Sequence, residues 1–135
     1  MENETLIKAA LQAREKSYAP YSHFHVGAAL LTKNNKVYTG CNIENAAFSP
    51  TNCAERTAIF KAVSEGEKAF AKIAIVGGRE GKPLEYCPPC GVCRQVLREF
   101  VVPKDFVLVL AKSPKEYKEY TLAELLPEGF GPENL

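Results

Sequence analysis

Leu6, Ile7, Ala10 and Leu11 recur at the spacing of one helical face, with Lys8, Gln12, Glu15 and Lys16 opposite. The pattern predicts an amphipathic first helix. Tyr18-Ala19-Pro20 closes it, because the residue ahead of a proline is pushed out of helical geometry. From Phe24 to Thr32 the chain is almost continuously apolar, as in a buried strand. Lys33-Asn34-Asn35-Lys36 reads as a hairpin turn, since asparagine tolerates positive φ, and Val37 to Ile43 returns as the antiparallel partner. A polar, proline-marked loop, Glu44 to Thr51, follows. Asn52 is expected to cap a second helix, with Glu55 at capping-box spacing, an inward stripe of Ala58, Ile59, Ala62 and Val63, and a stop at Gly66.

Ile73 to Val76 is a short β-branched run that Gly77-Gly78 is expected to end, and a loop from Arg79 to Pro89 comes next. The third helix should present Val92, Val96, Leu97 and Phe100 on one face. Phe106 to Ala111 forms the fourth strand, and the turn Ser113-Pro114-Lys115 leads into a fifth around Glu116 to Tyr120. Thr121 and Glu124 form a capping box for a last short helix, Leu122 to Leu126, and the tail Glu128 to Leu135 is irregular. The strand–helix–strand–helix–strand order through the middle predicts two crossovers and a parallel core. Hairpins at both ends make the five-stranded sheet mixed. The expectation is one domain, residues 1–135, of the α/β class with three layers, α/β/α. Both crossover helices then start at the sheet edge where ligands bind in such folds.

Composition narrows the function more than the fold. Hydrophobic content of 46% and charged content of 24% are those of a soluble globular protein. A formal charge of +1 gives no field for a nucleic-acid backbone. The chain start has no signal-peptide character, and no apolar run is long enough to span a bilayer. Five cysteines, two of them in Cys90-x-x-Cys93, point to metal-bound thiolates in a reducing cytoplasm rather than to a disulfide framework.

Cys53 and Cys90 both fall at predicted helix starts, with Cys93 one turn later. Zinc prefers four ligands and favours thiolates, and a helix N-terminus stabilises the thiolate form. Three cysteines leave one position, open to water or to a further protein ligand. Three thiolates also weaken the metal as a Lewis acid, so Arg56 and Arg94, each close after a ligand, are candidates to offset the charge. Glu55, two residues beyond Cys53, is placed to act as general acid and base on a metal-activated water.

Cys53-Ala54-Glu55-Arg56 and Pro89-Cys90-Gly91-Val92-Cys93-Arg94-Gln95 resemble the motifs of the homotetrameric zinc-dependent cytidine deaminases. The resemblance extends to Tyr18-Ala19-Pro20-Tyr21-Ser22, Phe24 with Val26-Gly27-Ala28-Ala29, Gly40 to Ala46, Leu125-Leu126-Pro127 and Phe130-Gly131-Pro132. It implies a cytidine deaminase-like fold and hydrolysis of cytidine and 2′-deoxycytidine to uridine and 2′-deoxyuridine, with release of ammonia. One Zn²⁺ per subunit would be held by Cys53, Cys90 and Cys93, the attack would come from zinc-bound hydroxide, and Glu55 would shuttle the proton. Asn42 and Glu44 would bind the ribose, Phe24 would pack on the pyrimidine, and Ala54 would offer backbone contacts to the base. Phe130 would reach the base from a neighbouring subunit of the tetramer.

The chain departs from that pattern at Phe48, where many relatives carry tyrosine, and at the extra thiol Cys87. Two other readings stay open at this stage. Cys87 or Cys41 could complete a four-thiolate cage in a non-catalytic zinc module, although Cys87, Cys90 and Cys93 lie too close in the chain to serve one tetrahedron comfortably. Alternatively the same chemistry could act on another free nucleoside or a nucleoside antibiotic. His23 and His25 are expected to be exposed or packed rather than metal-bound.

Overall fold

A computed structural model describes residues 1–135. In chain order the elements are α1 (Asn3–Arg14), β1 (Phe24–Thr32), β2 (Val37–Cys41), α2 (Ala54–Ser64), β3 (Phe70–Arg79), α3 (Gly91–Phe100), β4 (Val107–Ser113), β5 (Glu116–Thr121) and α4 (Leu122–Leu125), with a short 3₁₀ turn at Pro132–Asn134. The five strands form one mixed sheet in the order β2-β1-β3-β4-β5. Leu6, Ile7 and Ala10 of α1 pack on one face against Ala29, Leu31, Ala74, Val76 and Val109. The other face, through Ala28, Leu30, Ile73, Ile75 and Leu108, receives Ala54, Ala58, Ile59 and Ala62 of α2 and Leu97 of α3. Three layers result, with the sheet buried on both faces at its centre.

Two glycines set the spacing between those layers. A Cβ on Gly27 would lie 2.1 Å from the carbonyl oxygen of Ala10, and one on Gly40 would lie 2.5 Å from that of Ala54. Helices α1 and α2 therefore approach their strands backbone to backbone, and α2 starts directly over the end of β2. The hairpin turn forms as its residues require, with Asn35 at φ 69°. Gly66 follows α2 at φ 98°, a geometry that costs a glycine nothing. Thr121 and Glu124 make the full reciprocal capping box.

Several expectations are corrected. The core of the sheet is not parallel: β1 lies between β2 and β3 and is antiparallel to both, and only β3 and β4 pair in parallel. The long apolar β1 is an interior strand, next to the central β3, with both its faces covered, and the crossover from β2 to β3 passes over it. Because β2 and β3 still point the same way, their C-terminal ends share one edge, and α2 and α3 both begin there. Gly77 and Gly78 do not end β3 but continue it, paired with Val26 and His25. Their missing side chains admit Cys87 and Leu84 of the following loop, whose atoms stand 2.7 Å and 3.0 Å from where a Cβ would sit. The cap of α2 is Cys53 rather than Asn52, and the Asn52 amide instead donates to the Thr57 hydroxyl. On α3 the inward position expected for Val92 belongs to Cys93, while Val92 is 56% exposed. Strand β2 ends at Cys41 and α4 at Leu125, each slightly short of its expected end.

Candidate active site

Cys53 and Cys90 are the N-caps of α2 and α3, both in extended geometry, and Cys93 lies in the first turn of α3. The shared sheet edge brings the three sulfurs together. Cys53 Sγ is 3.7 Å from Cys90 Sγ, Cys90 Sγ is 3.6 Å from Cys93 Sγ, and all three lie within 4.8 Å of one another. Ligands about 2.3 Å from a tetrahedral zinc stand about 3.8 Å apart, so the triangle of sulfurs fits that ion. All five cysteines are free of disulfides.

Charge at the sulfurs fits the same conclusion. The Cys53 thiol is pushed down to about 5, first by the hydrogen bond from the Cys93 thiol and then by the Arg56 guanidinium, against the effect of burial. The neighbouring Cys93 thiol is pushed up instead, by its contact with Cys53 and by burial. Arg56 Nη2 donates to Cys53 Sγ at 3.2 Å. Its Nε is buried without an acceptor, a donor left over for a site carrying more negative charge than the bare thiols. The donor set, its spacing and this orphaned donor all suit a zinc ion. Arg94, the other arginine expected at the sulfurs, bonds elsewhere: its Nε donates to Pro89 O at 2.8 Å and its Nη1 to Leu125 O at 2.6 Å. It holds the backbone entering α3 rather than a sulfur.

Glu55 is only 4% exposed. Burial, then the negative charge on Cys53, pushes its carboxyl up to about 7, against the pull of its own backbone N–H and of Arg56. A carboxyl so tuned can hold or release a proton near neutrality. It lines a cavity of about 190 Å³ together with Cys53, Cys90, Ala54, Asn42 and Cys87. Thr51 is shared between this cavity and a neighbour of about 330 Å³ lined by Tyr21, Ser22, Glu44 and Phe48. Glu44 is fixed there by the backbone N–H groups of Tyr21 and Ser22 at 2.9 Å and 3.1 Å and by the Ser22 hydroxyl. The hydroxyl above all holds the Glu44 carboxyl below its usual value.

Within the single chain the other expected residues fall outside that cavity. Phe24, 38% exposed, lines a separate hollow with Arg79, Lys82 and Tyr86. Phe130 is 57% exposed, its carbonyl held by Gln95 Nε2 at 2.9 Å. Cys87 lines the cavity but is not part of the sulfur cluster, and burial pushes its thiol up to about 12. Cys41 is likewise outside the cluster, so neither supplies a fourth thiolate. His23 and His25 both face Glu80. Sequence reasoning missed Ser22, which orients Glu44, and Thr51, the common wall; only the adjacency of Ser22 to Tyr21 in a quoted motif pointed that way.

Comparison with known proteins agrees with this geometry. Residues 1–109 match the family model described as cytidine and deoxycytidylate deaminase zinc-binding region. The chain is 49% identical, over 135 residues and 98% of the relative, to the cytidine deaminase of Halalkalibacterium halodurans. It is also 49% identical to that of Sporosarcina psychrophila, covering 96% of the relative. Among solved structures, the cytidine deaminase of Burkholderia pseudomallei superposes with a TM-score of 0.86 at 46% identity, over 96% of this chain and 100% of that one.

Proposed function

The chain belongs to the cytidine and deoxycytidylate deaminase family, and from that premise we propose that it hydrolyses cytidine and 2′-deoxycytidine to uridine and 2′-deoxyuridine, releasing ammonia. It is a zinc-dependent hydrolase of pyrimidine salvage. The observation that carries the reading is the pairing of an incomplete thiolate triangle with a buried carboxyl poised at about 7 on the same cavity wall.

Cys53, Cys90 and Cys93 would hold the ion, one per subunit, which would supply a Lewis acid able to lower the pKa of a water from about 15.7 toward about 7. Glu55 takes a proton from the attacking water and delivers it to the ring nitrogen beside the carbon that bears the amine. It then passes the second proton to the departing amine, so that water is consumed and ammonia released in balance. Arg56 shares the negative charge of the sulfurs through its bond to Cys53, which keeps three thiolates from quenching the ion's electrophilicity. Arg94 supports the site at one remove, by tethering Pro89 ahead of Cys90.

Asn42 and Glu44 bind the sugar; both are polar groups held by backbone N–H donors and set along the linked cavities. Ala54, buried at the start of α2, offers backbone contacts to the base, and the family resemblance assigns Phe24 to the pyrimidine face, although in the single chain its ring lines the separate hollow with Arg79 and Tyr86. The protein works as a homotetramer in which Phe130 of one subunit closes the site of another. Tyr21 and Phe48, whose rings stand 6.2 Å apart, leave an apolar surface beside the Glu44 cavity, and Phe48 is 76% exposed. Such a patch suits burial against a second copy. No helix is long and apolar enough to cross a membrane, and free thiols suit a reducing cytoplasm.

The substrate is a free nucleoside. Ammonia release from cytidine, 2′-deoxycytidine and a cytosine-containing oligonucleotide separates the possibilities, with turnover expected for the first two alone. Turnover of the oligonucleotide and not of the nucleosides would overturn this assignment.

A further inference from the structure

His25, one of the two histidines beside Phe24, is wired to Asn42. Its Nε2 stands 3.2 Å from Glu80 Oε1 and its Nδ1 2.9 Å from the Ser17 hydroxyl. That hydroxyl bonds Asn42 Oδ1, which also accepts from Val26 N–H at 2.9 Å. Asn42 Nδ2 donates to Phe24 O at 2.8 Å. The direction of the chain follows from its last acceptor. A carbonyl oxygen can only accept, so Ser17 must donate to it, and Ser17 must in turn accept from Nδ1–H of His25. Glu80 Oε1 is also an acceptor, so its contact with Nε2 is a hydrogen bond only when that nitrogen carries a proton too, and the full chain is complete when both ring nitrogens are N–H donors. Arg14 Nε pins the His25 carbonyl at 2.7 Å.

We propose that His25, anchored by Glu80, is a positioning residue for nucleoside binding, acting through Ser17 on the amide of Asn42. The proposal rests on the reading that Asn42 binds the sugar. Both lone pairs of Oδ1 are occupied and one Nδ2 hydrogen is spent on Phe24, so a single amide hydrogen is left for a ligand. A hydrogen-bond chain polarises each successive donor, so filling Oδ1 from Ser17 makes that remaining N–H a better donor. It also stops the amide from turning, since a flip would leave Val26 N–H and Ser17 facing a donor. The effect falls on ground-state binding of the sugar, remote from the amine that leaves.

The test is steady-state kinetics with cytidine on zinc-loaded protein. His25→Leu should raise KM by up to about fivefold, the ceiling set by one hydrogen bond, with kcat changed less than about twofold and zinc content unchanged. His25→Gln, which restores an N–H donor toward Ser17, should recover most of the loss. Glu80→Ala, a surface change that leaves folding alone, should raise KM in the same direction by a smaller factor. In an Asn42→Ala background, which itself raises KM, His25→Leu should add nothing further. A raised KM in Asn42→Ala with no change in His25→Leu or Glu80→Ala overturns the proposal alone. An unchanged KM in Asn42→Ala overturns the sugar-binding reading and this proposal together.

Discussion

At the scale of single residues, the site depends on carboxyls held at opposite ends of their range. Glu55 is raised by burial, whereas Glu44 is lowered chiefly by the Ser22 hydroxyl. Glu55→Gln keeps size and removes the proton shuttle, so it should retain zinc while turnover falls by about 10²–10⁴, measured by metal analysis and by ammonia release. For Glu44 the sign is that of a depressed acid. Its hydrogen bonds contribute fully above the unfolded pKa and are lost as pH falls through the lowered folded value. A carboxyl-carbon NMR titration should therefore place its midpoint below the ordinary value of about 4.3, and Ser22→Ala should move it up. Cys87→Ser should leave the zinc content of the purified protein unchanged, because Cys87 stands apart from the three clustered sulfurs; a collapse in zinc would return the four-thiolate cage to contention. The clustering of Cys53, Cys90 and Cys93 was readable from sequence because a thiol at a helix start leaves a mark in spacing. The true partners of Arg94 and Asn42 leave none, as they are backbone groups and, for Asn42, also the Ser17 hydroxyl, brought close only by the fold.

Among the elements, α3 carries the most. Its first turn supplies Cys93 and its cap supplies Cys90, while Arg94, Gln95 and Arg98 on its flank hold the C-terminal tail at Leu125, Phe130 and Glu133. Arg98 is 8% exposed and lies so close over Gly131 that a Cβ there would stand 2.4 Å from its guanidinium carbon. Gly131→Ala should accordingly push the guanidinium off the tail. Glu133→Ala should cost about 1 kcal/mol in denaturant unfolding, the upper end of the range for exposed pairs, since Glu133 itself is mostly exposed. Both should leave zinc in place and raise KM, because the tail that presents Phe130 is loosened. The hairpins, the first helix and the capping box were legible because turn and cap chemistry is local. The strand order was not: a β2–α2–β3 connection is equally long whether or not another strand lies beneath it. Gly77 and Gly78 misled for a related reason, since a glycine that makes room for a loop looks in sequence like one that ends a strand.

For the molecule as a whole, the charge is near neutral at +1 and Tyr18, Tyr21, Phe48 and Phe130 are exposed, the surface on which the proposed homotetramer would close. Light scattering should give a mass about four times the 14.9 kDa of the chain, consistent with a closed symmetric assembly. If Phe130 acts between subunits, mixed tetramers of Glu55→Gln and Phe130→Ala chains should recover activity that neither parent has in full, while a cis-acting Phe130 gives no recovery. All of this depends on three thiolates and one buried carboxyl forming a single catalytic unit. The most direct measurement is the release of ammonia and uridine from cytidine by zinc-loaded wild-type protein, compared with zinc-loaded Glu55→Gln. Stoichiometric ammonia and uridine from the wild type, with almost none from the variant, is the predicted result. Wild-type protein that holds its zinc yet leaves cytidine intact, or a Glu55→Gln variant that turns it over at the same rate, would contradict the account.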